Sequence, residues 1–121
     1  MKTIALIAHD GKKDEMLEFV KQYRDRLQEF QLIATGTTGG MIAENTGLEV
    51  ERMFSGPVGG DVQIAARVVA KQVTAVIFFV DELAKHPHDP DIRTLLRLCN
   101  VHNVPLATNP ATAELLLVSD L

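Results

Sequence analysis

The sequence predicts an α/β fold: a single domain over residues 1–121 in which a five-stranded, mostly parallel sheet lies between two helical layers as a three-layer αβα arrangement. Three observations carry that expectation. Short apolar runs alternate with segments of helical spacing, a run such as Ala75 to Val80 has no polar residue at alternate positions, and polar stretches follow the runs at their C-terminal ends.

The apolar runs are Thr3–Ala8, Gln31–Ala34, Val50–Phe54, Ala75–Val80 and Val104–Ala107, each read as a strand. Between the first two, Met16, Val20, Tyr23 and Leu27 recur at helical spacing. A short helix is expected to begin just after Gly39. Ile64, Ala65, Val68 and Val69 mark a helix before the fourth strand, and Ile92, Leu95, Leu96 and Cys99 mark one before the fifth. A strand that is apolar on both faces needs helices on both, which is the environment of a parallel sheet. Right-handed crossovers then bring the strand C-termini to one edge, where ligands bind in such folds.

Composition narrows the partners. A length of 121 residues with 46% hydrophobic content suffices for one core. A net charge of −4 and a pI near 5.5 leave no broad basic field, which argues against a nucleic-acid or anionic-membrane partner but permits a small anion in a locally positive pocket. Met1-Lys2-Thr3 runs straight into the first strand, so no signal peptide is expected, and no apolar run approaches the roughly 20 residues of a membrane span. Cys99 is the single cysteine. It excludes an internal disulfide, fits a reducing cytoplasm and, beside Leu96 and Leu98, reads as a small buried hydrophobe.

The stretches after the strands hold the candidate chemistry. Thr35-Gly36-Thr37-Thr38-Gly39 combines glycines that let backbone approach a ligand with three hydroxyls, and a helix N-terminus there would attract phosphate. The alternative is a turn in which Thr38 merely caps a helix. No Gly-Lys-Ser/Thr follows, so this is not a P-loop. Ser55-Gly56 offers a second hydroxyl-glycine turn. Lys13, three residues after Asp10, shares a helical face with it and reads either as a rim cation or as a solvated lysine.

Acids and histidines accumulate on the same edge: His9 and Asp10, then Asp61, then His86, His88, Asp89 and Asp91. Asp61 follows Gly59-Gly60 at a helix start, where the dipole favours an acid whatever the function. Asp89-Pro90-Asp91 fits an N-cap, a proline at the first helical position and a first-turn acid, so at least one of these aspartates is expected to cap. His86 and His88 lack a third ligand at a metal-binding spacing, and Ser55 lacks a nucleophile-elbow context. A phosphate cradle, carboxylates and histidines on one rim suit acid–base chemistry on a small phosphorylated metabolite. A carboxylate removes a proton beside a carbonyl and a neutral histidine polarises the enediolate.

The segments Ile4 to Asp10, Ala34 to Gly39, Ser55 to Asp61 and Pro87 to Asp91, extended by Leu95 to Leu98 and Leu106 to Asn109, together resemble the bacterial methylglyoxal synthases from the first strand to about Glu114. That resemblance implies a cytoplasmic, homohexameric carbon–oxygen lyase that converts dihydroxyacetone phosphate to methylglyoxal. Inorganic phosphate would be its product and candidate inhibitor, and no metal or organic cofactor is implied. It also implies roles: Asp61 as the base, His88 as electrophile and proton carrier, and Asp10 and Asp91 as acids that hydrogen-bond and tune the site. His9, Lys13, Thr35, Gly36, Thr37, Thr38, Ser55 and Gly56 match the family's substrate- and phosphate-binding positions. Val62 stands where relatives often carry glutamine, and Asp81-Glu82 replaces a common Asp-Pro; neither removes a named catalytic group. Two other readings share parts of the pattern: the non-catalytic effector-binding domain of carbamoyl phosphate synthetase, and isomerisation to glyceraldehyde 3-phosphate through the same enediolate.

Overall fold

The computed structural model describes residues 1–84, 86 and 89–121. Strand β1 (Thr3–Ala8) is buried along its whole length and pairs in parallel with β2 (Gln31–Ala34) on one side and β4 (Ala75–Phe79) on the other. The outer strands β3 (Val50–Arg52) and β5 (Leu106–Ala107) add parallel to β2 and β4, giving the order β3-β2-β1-β4-β5. Every pairing among the described residues is parallel, a stricter arrangement than the mostly parallel sheet expected. The chain steps outward from β1 through β2 to β3, then returns to β4 on the far side of β1. Loops leaving β1 and β4 therefore diverge at the switch point where such folds place ligands.

Alternate residues of the strands build two separate cores. Ile4, Leu6, Leu32, Ile77 and Phe79 pack with Met16, Phe19 and Val20 of α1 (Lys13–Gln22), Leu27 of α2 (Arg24–Leu27), Ile42 of α3 (Gly36–Thr46) and Leu117 of α6 (Pro110–Val118). On the opposite face, Ala5, Ile7, Ile33, Val76 and Phe78 meet Ile64, Ala65 and Val68 of α4 (Gly60–Val69) and Leu95 and Cys99 of α5 (Ile92–His102). The buried, burial-raised thiol of Cys99 is the small hydrophobe expected of it.

The element boundaries depart from the sequence pattern for local reasons. The first helical stretch divides at Tyr23, whose backbone (φ −107°, ψ 23°) leaves helical geometry between α1 and α2. Helix α3 does not follow the Thr35–Gly39 segment but begins within it, at Gly36, and runs for 11 residues rather than being short. Thr35 stays extended, and the Gly39 N–H closes on its carbonyl at 2.7 Å. Strand β5 starts two residues later than the apolar run. Asn103 reverses the chain with φ 56°, the Val104 N–H turns back to Cys99 O at 2.8 Å, and Pro105 has no N–H to give. Helix α6 was not marked by the apolar spacing, yet its start is written in Asn109-Pro110: the Asn109 side chain accepts the Thr112 N–H and Pro110 opens the helix.

Ile64 is fully buried where α4 meets the sheet. Ile64→Ala is expected to cost about 2–5 kcal/mol of stability, read from the urea midpoint, and to loosen the helix that carries Asp61.

Candidate active site

A cavity of about 330 Å³ opens at the C-terminal ends of β1, β2 and β3, lined by Ala8, Asp10, Lys13, Thr35, Thr37, Ser55, Gly56, Pro57 and Pro90. Residues from four separate loops, distant in sequence, thus share one wall. Lys13 Nζ donates to Asp10 Oδ1 at 2.8 Å and to Ala8 O at 3.0 Å, and the side chain lines the cavity. A larger cavity of about 630 Å³ lies beside the start of β2 and against β3 and gathers none of the candidate residues.

The donors around the smaller cavity include backbone groups as well as side chains. Helices α5 and α6 are capped by the side chains of Asp91 and Asn109, but α3 and α4 have no side-chain cap. In α3 the Gly36 N–H donates to Phe54 O at 3.1 Å. The N–H groups of Thr37 and Thr38, next in the helix, have no acceptor within it by geometry. Their partial positive charge faces a wall that also carries the Thr35 and Ser55 hydroxyls. Thr38 does not cap, contrary to the alternative reading. Its Oγ1 is fully buried and has no hydrogen-bond partner, a costly state. Gly36 is required by close approach: a Cβ there would stand 3.1 Å from both Met53 O and Ser55 N.

His9, buried at the end of β1, lies behind the cavity and anchors Pro90, which lines it. Its Nδ1 accepts the Asp81 N–H at 2.9 Å, which leaves the ring proton on Nε2 to be donated to Pro90 O at 2.8 Å. The imidazole, set edge-on against Phe78, thus joins β1, the end of β4 and the segment before α5. Asp89 reinforces the join, accepting the Asp10 N–H at 2.9 Å and the His86 N–H at 3.1 Å. Asp91, the other member of the predicted capping pair, is the true N-cap of α5: it accepts the Arg93 N–H at 2.9 Å and pairs with the Arg93 side chain. Asp61 stands half-buried on the first turn of α4, whose Gly60 N–H is tied to Ser55 O at 3.1 Å. His88 lies outside the described residues. Among the described residues, no group of three or more His, Cys, Asp or Glu is placed to hold a metal ion.

The cavity wall thus pairs its one lysine with Asp10 and adds backbone dipoles and hydroxyls, with acids on adjoining turns. A family model described as the MGS-like domain matches residues 15–108. The chain is 57% identical to the methylglyoxal synthase of Thermus thermophilus over 117 residues, covering 97% of this chain and 93% of that protein. It is 58% identical to the methylglyoxal synthase of Carboxydothermus hydrogenoformans over 117 residues, covering 97% of both. The chain belongs to the methylglyoxal synthase family. A crystal structure of methylglyoxal synthase from Elizabethkingia anophelis superposes with a TM-score of 0.96 at 47% identity, over 98% of this chain and 78% of that one. The three-layer fold with its parallel sheet is therefore that of the methylglyoxal synthase family.

Sequence reasoning missed Asp81 as an organiser of this family's rim. Its carboxylate is buried and accepts the N–H groups of Leu83 and Ala84. The Ala84 N–H is the main cause that holds this carboxyl below the usual range; burial opposes it, and the Leu83 N–H with the charges of Lys12 and His86 adds to the lowering. Gly11 passes so close that a Cβ there would meet Asp81 Oδ2. The signals for Asp81 in the sequence are its position directly after a fully apolar strand and its match to the aspartate of the common Asp-Pro.

Because its folded pKa is lowered, Asp81 contributes stability that is present above the ordinary aspartate range and is lost as pH falls through the lowered value. The difference in melting temperature between wild type and Asp81→Asn is expected to be largest near neutrality and to shrink below about pH 4. Thr38→Val, nearly the same shape without the unpaired hydroxyl, is expected to leave the melting temperature of the free protein unchanged or raised. It should also weaken phosphate binding about tenfold in calorimetric titration.

Proposed function

We propose that this protein converts dihydroxyacetone phosphate to methylglyoxal and inorganic phosphate as a carbon–oxygen lyase. The observation that carries the reading is the uncapped start of α3, with Thr35, Thr37, Ser55 and Gly56 around one cavity, in a chain of the methylglyoxal synthase family. The phosphate of the substrate sits against the Thr37 and Thr38 N–H groups and the hydroxyls of Thr35, Thr38 and Ser55. Gly36 and Gly56 supply close backbone approach, and Lys13 adds a cation to the wall.

Asp61 takes a proton from the hydroxymethyl carbon beside the carbonyl, and the electron pair moves onto the carbonyl oxygen as an enediolate. His88 donates toward that oxygen, and His9 supports binding from the rim. Asp10 and Asp91 hydrogen-bond and tune the acids and bases around them. The intermediate then collapses: the hydroxyl on the deprotonated carbon gives its proton to His88 and becomes the aldehyde carbonyl, the carbon–oxygen bond to phosphate breaks with its electron pair leaving on the phosphate, and the released enol tautomerises to methylglyoxal. Proton transfers and an anion sink suffice for this sequence, so no metal or organic cofactor enters it. Inorganic phosphate competes for the same cradle as product and inhibitor. A homohexamer in the cytoplasm is the assembly and setting we assign, on the strength of the family resemblance.

Purified protein treated with a chelator is expected to release methylglyoxal and phosphate from dihydroxyacetone phosphate in equal amounts. Asp61→Asn should lower kcat by roughly 10²–10⁴-fold while phosphate binding changes less than about twofold. Appearance of glyceraldehyde 3-phosphate without phosphate release would mean isomerisation, and full activity in Asp61→Asn would remove that residue as the base.

A further inference from the structure

Between α3, which presents the phosphate-binding turn, and α4, which presents Asp61, runs the short segment Met53-Phe54-Ser55. Both helix starts close on its backbone. The Phe54 carbonyl accepts the Gly36 N–H of α3 at 3.1 Å, and the Phe54 N–H donates to the side-chain Oε1 of Gln63, on α4, at 2.7 Å. A Cβ on Gly60 would fall 1.7 Å from Phe54 O and 3.2 Å from Thr35 Cγ2, so the two helices meet this one residue almost in contact.

The Phe54 side chain does not hold the segment, since it is 64% exposed. The ladder with β2 has ended at Met53, whose N–H reaches Ala34 O at 2.8 Å. Beyond that point the Phe54 N–H has no strand acceptor, and the Gln63 amide supplies one. Gln63 lies two residues after Asp61 on the same helix. Its hydrogen bond therefore spans from the helix of the base to the residue bonded to the phosphate turn.

We propose that Gln63 is a positioning residue for the reaction: through the Phe54 backbone it sets the distance between Asp61 and the phosphate cradle. This rests on the lyase reading above. The phosphate turn keeps its own bonds when Gln63 is changed, so anion binding survives, while the carboxylate loses its register on the carbon it deprotonates. A displacement of about 1 Å in such a register costs up to about a hundredfold in rate.

The test compares Gln63→Met, of similar length without an acceptor, with Gln63→Glu, which keeps a carboxyl oxygen for the Phe54 N–H. Kinetics with dihydroxyacetone phosphate, inhibition by inorganic phosphate and hydrogen exchange of the Phe54 amide are measured on each. Gln63→Met is expected to lower kcat about ten- to a hundredfold, to leave KM and phosphate inhibition within about threefold, and to speed exchange at Phe54. Gln63→Glu should recover most of the lost kcat and the protection. Wild-type kcat in Gln63→Met overturns the proposal, as does an equal loss of kcat in Gln63→Glu. A parallel fall of kcat, phosphate affinity and melting temperature also overturns it, by showing a role confined to folding. An inactive wild-type protein would instead count against the lyase reading itself, and the Phe54 exchange and phosphate titration would then still report whether Gln63 holds the segment.

Discussion

Strands β1 and β4 are covered by helices on both faces and buried from end to end, so no polar side chain on them can face water or substrate. The chemistry is displaced to the first residues beyond their ends, and the rim takes its shape from how those residues are tied together. His9 is the central tie. One neutral ring satisfies an N–H after β4 and a carbonyl before α5, where two unpaired buried groups would otherwise each cost about 1–3 kcal/mol. The β1 and β4 loops are consequently tied to each other, with Asp89 closing the same seam through the Asp10 N–H.

The anion binding proposed for the cavity needs no basic surface. Its one lysine is already paired with Asp10, so the side-chain charges on the wall largely cancel. What remains is the field of unspent helix N–H groups and hydroxyls, which is short-ranged and fixed in direction. That arrangement suits a protein of net charge −4, because recognition operates within the pocket and does not depend on long-range steering. The proposed binding also fits the lack of side-chain caps on α3 and α4, where α5 and α6 have them: a cap would occupy the N–H donors at those helix starts.

Much of this was legible in the sequence because it depends on local pattern. Apolar runs without alternation gave buried strands, and the order of polar segments after them brought Asp10, Lys13, Thr35, Thr37, Ser55 and Gly56 to one wall. Asp89-Pro90-Asp91 announced a helix start, although the cap proved to be Asp91 while Asp89 bonds across to Asp10. The start of α3 was misplaced because two glycines and three threonines have poor intrinsic helix propensity; the tertiary bond from Gly36 to Phe54 overrides it. Long-range pairings were invisible for the same reason. Nothing near Gln63 or Asp81 in the chain says that one will take the Phe54 N–H and the other will give its own N–H to His9.

The strand order also sets a sequence of assembly. Ile4 meets Leu32 across β1 and β2 but Ala75 across β1 and β4, so the second pairing closes a loop more than twice as long, at an extra entropic cost of about 0.8 kcal/mol. The cradle formed by the ends of β1, β2 and β3 belongs to the first half of the chain; the clamp on His9 comes from the second. A folding chain thus favours the half that carries Thr35 and Ser55 before the half that seals the rim. The two halves of the rim are separable in time as well as in space.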